Sequence, residues 1–388
     1  MDNNLANLGW NLLNDWKDNW EEFYQDESLQ VTEKEIALNF DDLKKRLRKN
    51  YPFHHPCYVG QMLKPPHPLA IAAYLSTMQL NPNNHALDGG PATAELEREA
   101  VDQVAKMFGF DTYLGHLTSS GTLANLEALW VSRNLHPEKM IAYSKHAHYT
   151  HGRMCEVICA RSISINNDKH GKMDLNDLED KLKNFSIGTV VVTTGTTALG
   201  ALDPLEQILE LAKKYNFRLH VDAAYGGFYT VLANDTIING KCFQVIANAD
   251  SVVIDPHKHG LQPYGCGCII FSEPSVGRFY SHDSPYTYFT SKELHLGEIS
   301  LECSRAGAAA SAFWTTLKFF PLKEEQGFGK ILRKTRQAAL NLSKKIKESE
   351  NFILFIEPEL DIVCYFPKVN SRNVSEISAK TELIFNYL

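Results

Sequence analysis

Asp250-Ser251-Val252-Val253-Ile254-Asp255-Pro256-His257-Lys258-His259-Gly260 is the stretch from which the rest of the chain can be read. Its apolar run is unbroken rather than alternating and stops at a proline, which predicts a short strand covered on both faces. One lysine follows at the strand's carboxyl end, among His, Pro and Gly. An amine held there is partly desolvated and becomes a nucleophile toward aldehydes. A lysine at a strand end is more often a solubilising charge, so the reading turns on what the neighbouring segments supply.

Outward from this strand the pattern repeats. Short apolar runs at 140–143, 156–159, 189–193, 217–221 and 268–271 predict further strands, and helical periodicity falls at 122–133, 175–184 and 205–215. A strong helix opens at Thr93 with acids in its first turns, as the helix dipole favours. Strand–helix alternation of this length predicts an α/β fold with a mostly parallel, doubly wound sheet. Ligands of such sheets gather outside the strands' carboxyl ends.

Residues 1–58 read as an N-terminal helical arm. Leu5, Leu8, Leu12, Leu13, Trp16, Trp20 and Phe23 recur at helical spacing, and Ile36, Phe40, Leu43 and Leu47 form a second stripe. Such an arm cannot bury its own stripes, so it is expected to pack on the main domain or on another subunit, the second being preferred. A Pro- and His-rich link follows, residues 59–316 form the large domain, and 317–388 form a small C-terminal α+β domain. The last begins with amphipathic helix at 328–348, continues through a β-like run at 353–366 and ends in a helix from Val374.

Composition sets the outer limits. The 388 residues are 44% hydrophobic and 22% charged, which is ordinary for a globular protein. A net charge of -7 argues against nucleic acid or an anionic membrane as partner. No apolar run reaches membrane-spanning length, and Met1 leads into Asp2-Asn3-Asn4 rather than a basic, apolar signal. The eight cysteines lack framework spacing and read as reduced thiols, so a cytoplasmic location is expected.

Four further segments carry chemistry. Ser119-Ser120-Gly121-Thr122 feeds a small-residue turn into a helix, whose free N–H groups make an anion seat. The lysine of a nucleotide-binding loop is missing from it. His146-Ala147-His148-Tyr149-Thr150-His151 invites a zinc reading, but no carboxylate or thiol is spaced to complete it, and an imidazole can instead stack on a flat ligand. Thr193-Thr194-Gly195-Thr196-Thr197 places hydroxyls at a strand end. In His220-Val221-Asp222-Ala223-Ala224-Tyr225, an acid after an apolar strand requires a cation, and the alanines leave room for something planar. An anion seat, a stacking ring, an acid and an amine match the phosphate, ring, pyridine nitrogen and aldehyde of pyridoxal 5'-phosphate.

These segments, with Pro91-Ala92-Thr93-Ala94-Glu95-Leu96-Glu97 and Cys303-Ser304-Arg305-Ala306-Gly307, resemble the group II pyridoxal-phosphate-dependent amino-acid decarboxylases. The resemblance implies the type I aminotransferase fold, a homodimer with shared active sites, and decarboxylation of an L-amino acid to its amine and CO2. It implies that Lys258 carries the cofactor as a Schiff base and that Asp222 keeps the ring nitrogen protonated. His148 would stack on the ring, Ser120, Gly121, Thr122 and His257 would hold the phosphate, and Thr197 and Ala224 would line the ring. Arg305 matches an arginine that either binds the substrate carboxylate or supports the site, the first being preferred. Tyr286 and Tyr288 are candidates for the proton donor. The chain stops at Leu388, short of the family's usual C-terminal domain. A carbon–carbon lyase of the sphingosine-phosphate lyase type, an aminotransferase or a desulfurase keeps the same cofactor, and a non-catalytic cofactor-binding protein is the rival from another class.

Overall fold

The computed structural model describes residues 3–20, 26–55, 57–60, 62, 64–281, 296–371 and 373–387. Seven strands form one sheet: β1 (Leu114–Thr118), β2 (Met140–Ser144), β3 (Ser162–Ile165), β4 (Ile187–Thr193), β5 (Arg218–Asp222), β6 (Ser251–Ile254) and β7 (Gly267–Phe271). Their spatial order is β1-β7-β6-β5-β4-β2-β3. From β6 to β3 all pairings are parallel, and β7 runs antiparallel between β6 and β1. β1, β2, β4, β5 and β6 therefore all point their carboxyl ends to one edge.

Burial explains why the strands read as unbroken apolar runs. In β4, Val190 and Val192 belong to the core on one face and Val191 to the core on the other. β6 divides the same way, with Val252 and Ile254 on one side and Val253 on the other. Successive side chains of a strand point to opposite faces, so helices on both faces demand an apolar residue at every position.

Two expectations are corrected. Residues 156–159 are not a strand: Thr150–Val157 is a helix, and Cys159 turns the chain with φ of 54°. Met154, Cys155 and Ile158 sit on one helical face and pack with Leu129, Ile141 and Val191, a spacing of one turn rather than a strand's alternation. The strand comes later, at β3. The arm is also not held out whole for a partner. Its first helix, Asn3–Asn11, lies on the helix Pro68–Met78, with the Ser76 hydroxyl donating to the Gly9 carbonyl at 2.7 Å. At Gly9 a Cβ would strike the Ala72 carbonyl, so the close approach requires glycine. The helix Glu33–Leu47 buries no residue, although Thr32 and Glu35 close a capping box at its start.

Beyond the sheet, the helix Gly327–Lys347 sends Phe328 and Leu332 into the main core. Two short antiparallel strands, Phe352–Leu354 and Tyr365–Pro367, and a helix, Val374–Tyr387, complete the chain. Among the described residues no helix is long and apolar enough to cross a membrane.

Candidate active site

A cleft of about 480 Å³ opens at the edge where the carboxyl ends meet, a size usual for a small-molecule site. Ser120, Gly121 and Thr122 after β1, His148 after β2, Thr197 after β4, Asp222 and Ala224 at β5, and His257 and Lys258 after β6 all line it. The topology brings together segments separated by more than a hundred residues.

The anion seat is built from the helix Gly121–Leu135. Ser120 caps it, its hydroxyl accepting from the Leu123 N–H at 3.2 Å, and the next N–H groups have no partner within the helix. A Cβ on Gly121 would strike the Asp255 carboxylate, so no larger residue fits there. His257 donates from Nδ1 to the Cys266 carbonyl at 2.7 Å, since a carbonyl only accepts. That orients its Nε2 into the cleft, 3.6 Å from Asp255.

Lys258 Nζ stands 3.1 Å from Asp255 Oδ2, with 17% of its side chain exposed. Asp222 is 5% exposed. Its Oδ2 accepts from His151 Nε2 at 2.9 Å and its Oδ1 from the Ala224 N–H at 3.1 Å. Burial alone would raise its pKa, but the His151 hydrogen bond and the nearby charges of His151 and Lys258 outweigh it and hold the carboxyl well below its ordinary value. His148 Nδ1 accepts from the Thr150 N–H at 3.2 Å, which leaves the ring proton on Nε2. Burial lowers its pKa, so the ring is neutral.

Arg305 lies behind this cleft rather than on its lining. Its Nη1 donates to Glu97 Oε1 and to the Leu117 carbonyl, each at 2.6 Å, and its side chain is 6% exposed. Of its two expected roles, these contacts support the structural one. Tyr286 and Tyr288 lie outside the described residues. His151 is the site residue that sequence reasoning missed: the histidine cluster reads as a zinc or stacking motif, and only the fold sets one of its three rings against Asp222. Asp255 was likewise passed over, although its carboxylate touches both Lys258 and the anion seat.

The residues fit pyridoxal phosphate. The cleft joins a helix start, a carboxylate held ionised, a neutral imidazole and an amine. Two buried acceptors on its wall, Thr193 Oγ1 and Asp255 Oδ1, have no protein partner, as expected where a polar ligand completes a site. Residues 24–368 match the family model of the pyridoxal-dependent decarboxylase conserved domain. The chain belongs to that family. It is a pyridoxal-phosphate-dependent amino-acid decarboxylase, a carboxy-lyase.

Among this decarboxylase's relatives, the L-aspartate decarboxylase of Thermococcus kodakarensis is 29% identical over 347 residues, covering 87% of this chain and 86% of that one. The L-tyrosine decarboxylase of Enterococcus faecium is 30% identical, covering 88% and 74%. The crystal structure of mouse CSAD superposes with a TM-score of 0.81 at 22% identity, over 96% of this chain and 81% of that one. Catharanthus roseus tryptophan decarboxylase in complex with L-tryptophan gives 0.79 at 15% identity, over 99% and 86%. The fold is thus that of the solved decarboxylases.

Proposed function

We propose that Lys258 is the residue that bonds the cofactor aldehyde and that the substrate is a free L-amino acid, released as its amine. The carrying observation is that the Lys258 amine and the Asp222 carboxylate, delivered by adjacent strands β6 and β5, open onto one cleft with His148. The bound cofactor supplies an electron sink for the bond broken at the substrate's α-carbon. Asp222, kept ionised by His151, favours the charged form of the ring nitrogen. The neutral His148 ring offers a flat face beside it. Ser120, Gly121, Thr122 and His257 would hold the phosphate, and Thr197 and Ala224 would line the ring. Asp255 Oδ2 holds the proton of the free Lys258 amine. Residues that hold the substrate would direct the chemistry by fixing which of its bonds is placed to break.

The working unit is a homodimer in the cytoplasm. Two features support this: Ile36, Phe40, Leu43 and Leu47, on the helix Glu33–Leu47, are all more than two-fifths exposed, and all eight cysteines are unpaired. An exposed stripe of that kind is a normal mark of a subunit contact. Borohydride reduction followed by peptide mass mapping is expected to place one cofactor adduct on Lys258. Screening amino acids for CO2 release, beginning with aspartate and tyrosine because the relatives act on them, is expected to yield an amine. Size exclusion with light scattering is expected to give twice 43.8 kDa. An adduct on another lysine would refute the assignment.

A further inference from the structure

Behind the cleft, the chain returns from the C-terminal end and inserts residues 359–362 against the turns that carry the site. Leu360 is fully buried, with its Cδ1 so close to Gly195 and Gly226 that a Cβ on either would meet it at 3.2 and 3.1 Å. Its carbonyl accepts from Arg336 Nη1 at 2.8 Å. Glu359 accepts from the Leu202 N–H at 3.0 Å and pairs with Lys172 at 2.6 Å. Ile362 packs against Gly200.

The centre of this insertion is Asp361, whose side chain is 4% exposed. Its Oδ1 accepts from the Tyr225 hydroxyl at 2.6 Å. Its Oδ2 accepts from His259 Nε2 at 3.0 Å and pairs with Lys64 at 3.2 Å. The other nitrogen of His259 lies 2.9 Å from the Tyr225 carbonyl. Both ring nitrogens of His259 thus face oxygen atoms of the insertion or of the turn after β5. Each of the three partners lines the cleft or adjoins a residue that does: Tyr225 is part of the lining itself, His259 follows Lys258, and Lys64 lies two after Met62. A buried carboxylate with three charge-assisted or short bonds has little freedom to shift.

We infer that Asp361 is a positioning residue, through which the segment 359–362 fixes where the Lys258 amine and the Asp222 carboxylate stand relative to each other. The inference rests on the reading that these two residues hold the cofactor. Asp361 touches neither the cleft nor a ligand. It acts by binding the turn after β5 to the turn after β6, so that a carboxylate from the far end of the chain becomes part of the cofactor site's geometry.

The test uses the full-length protein and the variants Asp361→Asn, Tyr225→Phe and His259→Gln. Cofactor affinity is read from quenching of tryptophan fluorescence, and the seating of the ring from the visible circular dichroism of the lysine-bound chromophore. Melting temperature is measured alongside. Asp361→Asn is expected to weaken cofactor binding by about tenfold or more, the usual effect of losing a partner that orients a contacting group, and to alter the dichroic band. Each single-spoke variant is expected to produce a smaller change in the same direction. A merely structural role would lower the melting temperature and leave affinity and band unchanged, which would overturn the inference. Should Asp361→Asn fail to fold, His259→Gln, whose side chain is off the cleft lining, decides it on the same two readouts. A wild-type protein that forms no lysine-bound chromophore overturns the assignment of the cleft and this inference together. A normal wild-type chromophore shared unchanged by the variants overturns this inference alone.

Discussion

Asp222 and Arg305 show how differently two buried charges are used. Asp222 is held ionised at the wall of the cleft, where it accepts from His151 and stands ready for a cationic ligand group. Arg305 is spent on Glu97, whose carboxylate also accepts from the Leu117 N–H at 2.9 Å and from Asn84 at 2.7 Å. Removing one member of such a buried pair typically costs about 3–5 kcal/mol, because the remaining charge is stranded. Arg305→Met is therefore expected to lower stability by that order in urea unfolding, while the folded fraction keeps a near-normal KM. A KM raised a hundredfold at unchanged stability would instead return Arg305 to the substrate carboxylate. Lys258 and Asp222 were legible because a lysine or acid at the end of an apolar strand is chemically conspicuous. His151 and Asp255 were not, because their work depends on contacts made across the sheet.

Elements were legible where burial matched a simple period. β4 and β6 read as strands because both faces are covered, and the helices Leu175–Asn184 and Leu205–Tyr215 as helices because one face is. Residues 156–159 failed because Val157-Ile158-Cys159 is too short an apolar run to separate the two periods, and the packing of Met154, Cys155 and Ile158 on Leu129 and Ile141 chose the helix. How elements are joined was not legible at all. Glu127, on the helix Gly121–Leu135, lies 2.9 Å from His116 Nε2 on β1 and accepts from the Tyr280 hydroxyl at 2.9 Å, all of them buried. Glu127→Ala removes the acceptor that His116 and Tyr280 share and is expected to cost about 3–5 kcal/mol. Tyr280→Phe removes one bond and is expected to cost about 1–3 kcal/mol by leaving part of the acceptor unsatisfied. Equal, small losses in thermal melts of both variants would show that the cluster does not join the helix to its neighbours.

For the whole molecule, the buried titrating groups set how stability follows pH. His220 lies under the sheet's carboxyl edge, bonded to Asn125 at 2.8 Å and Ser251 at 2.9 Å, and burial lowers its pKa to about 3. The unfolded chain takes up this proton near 6.5 and the folded protein does not, so the stability it contributes is complete above 6.5 and is lost as pH falls toward 3. At pH 5 the loss is about 2 kcal/mol. Asp203 works in the opposite sense: burial raises its pKa to about 6, so acidification from 6 toward 3.8 favours the fold. Because Asp203 also titrates between pH 7.5 and pH 5, the histidine is isolated by comparing the wild type with a His220 variant in urea unfolding at both. His220→Gln is expected to be less stable at pH 7.5 yet to lose about 2 kcal/mol less on acidification than the wild type, and parallel losses would refute the assignment.

The sequence by itself determined the alternation of strands and helices, the edge at which the cleft opens, and most of the residue types that line it. These follow from local rules: the period of apolar residues, the caps of helices, and polar groups placed where apolar strands end. Only the tertiary structure decided which histidine serves Asp222, that Arg305 belongs to Glu97, that the first helix lies on Pro68–Met78, and that Asp361 reaches back to the lysine turn. Such pairings depend on the distance between side chains remote in sequence, and no local period encodes that distance.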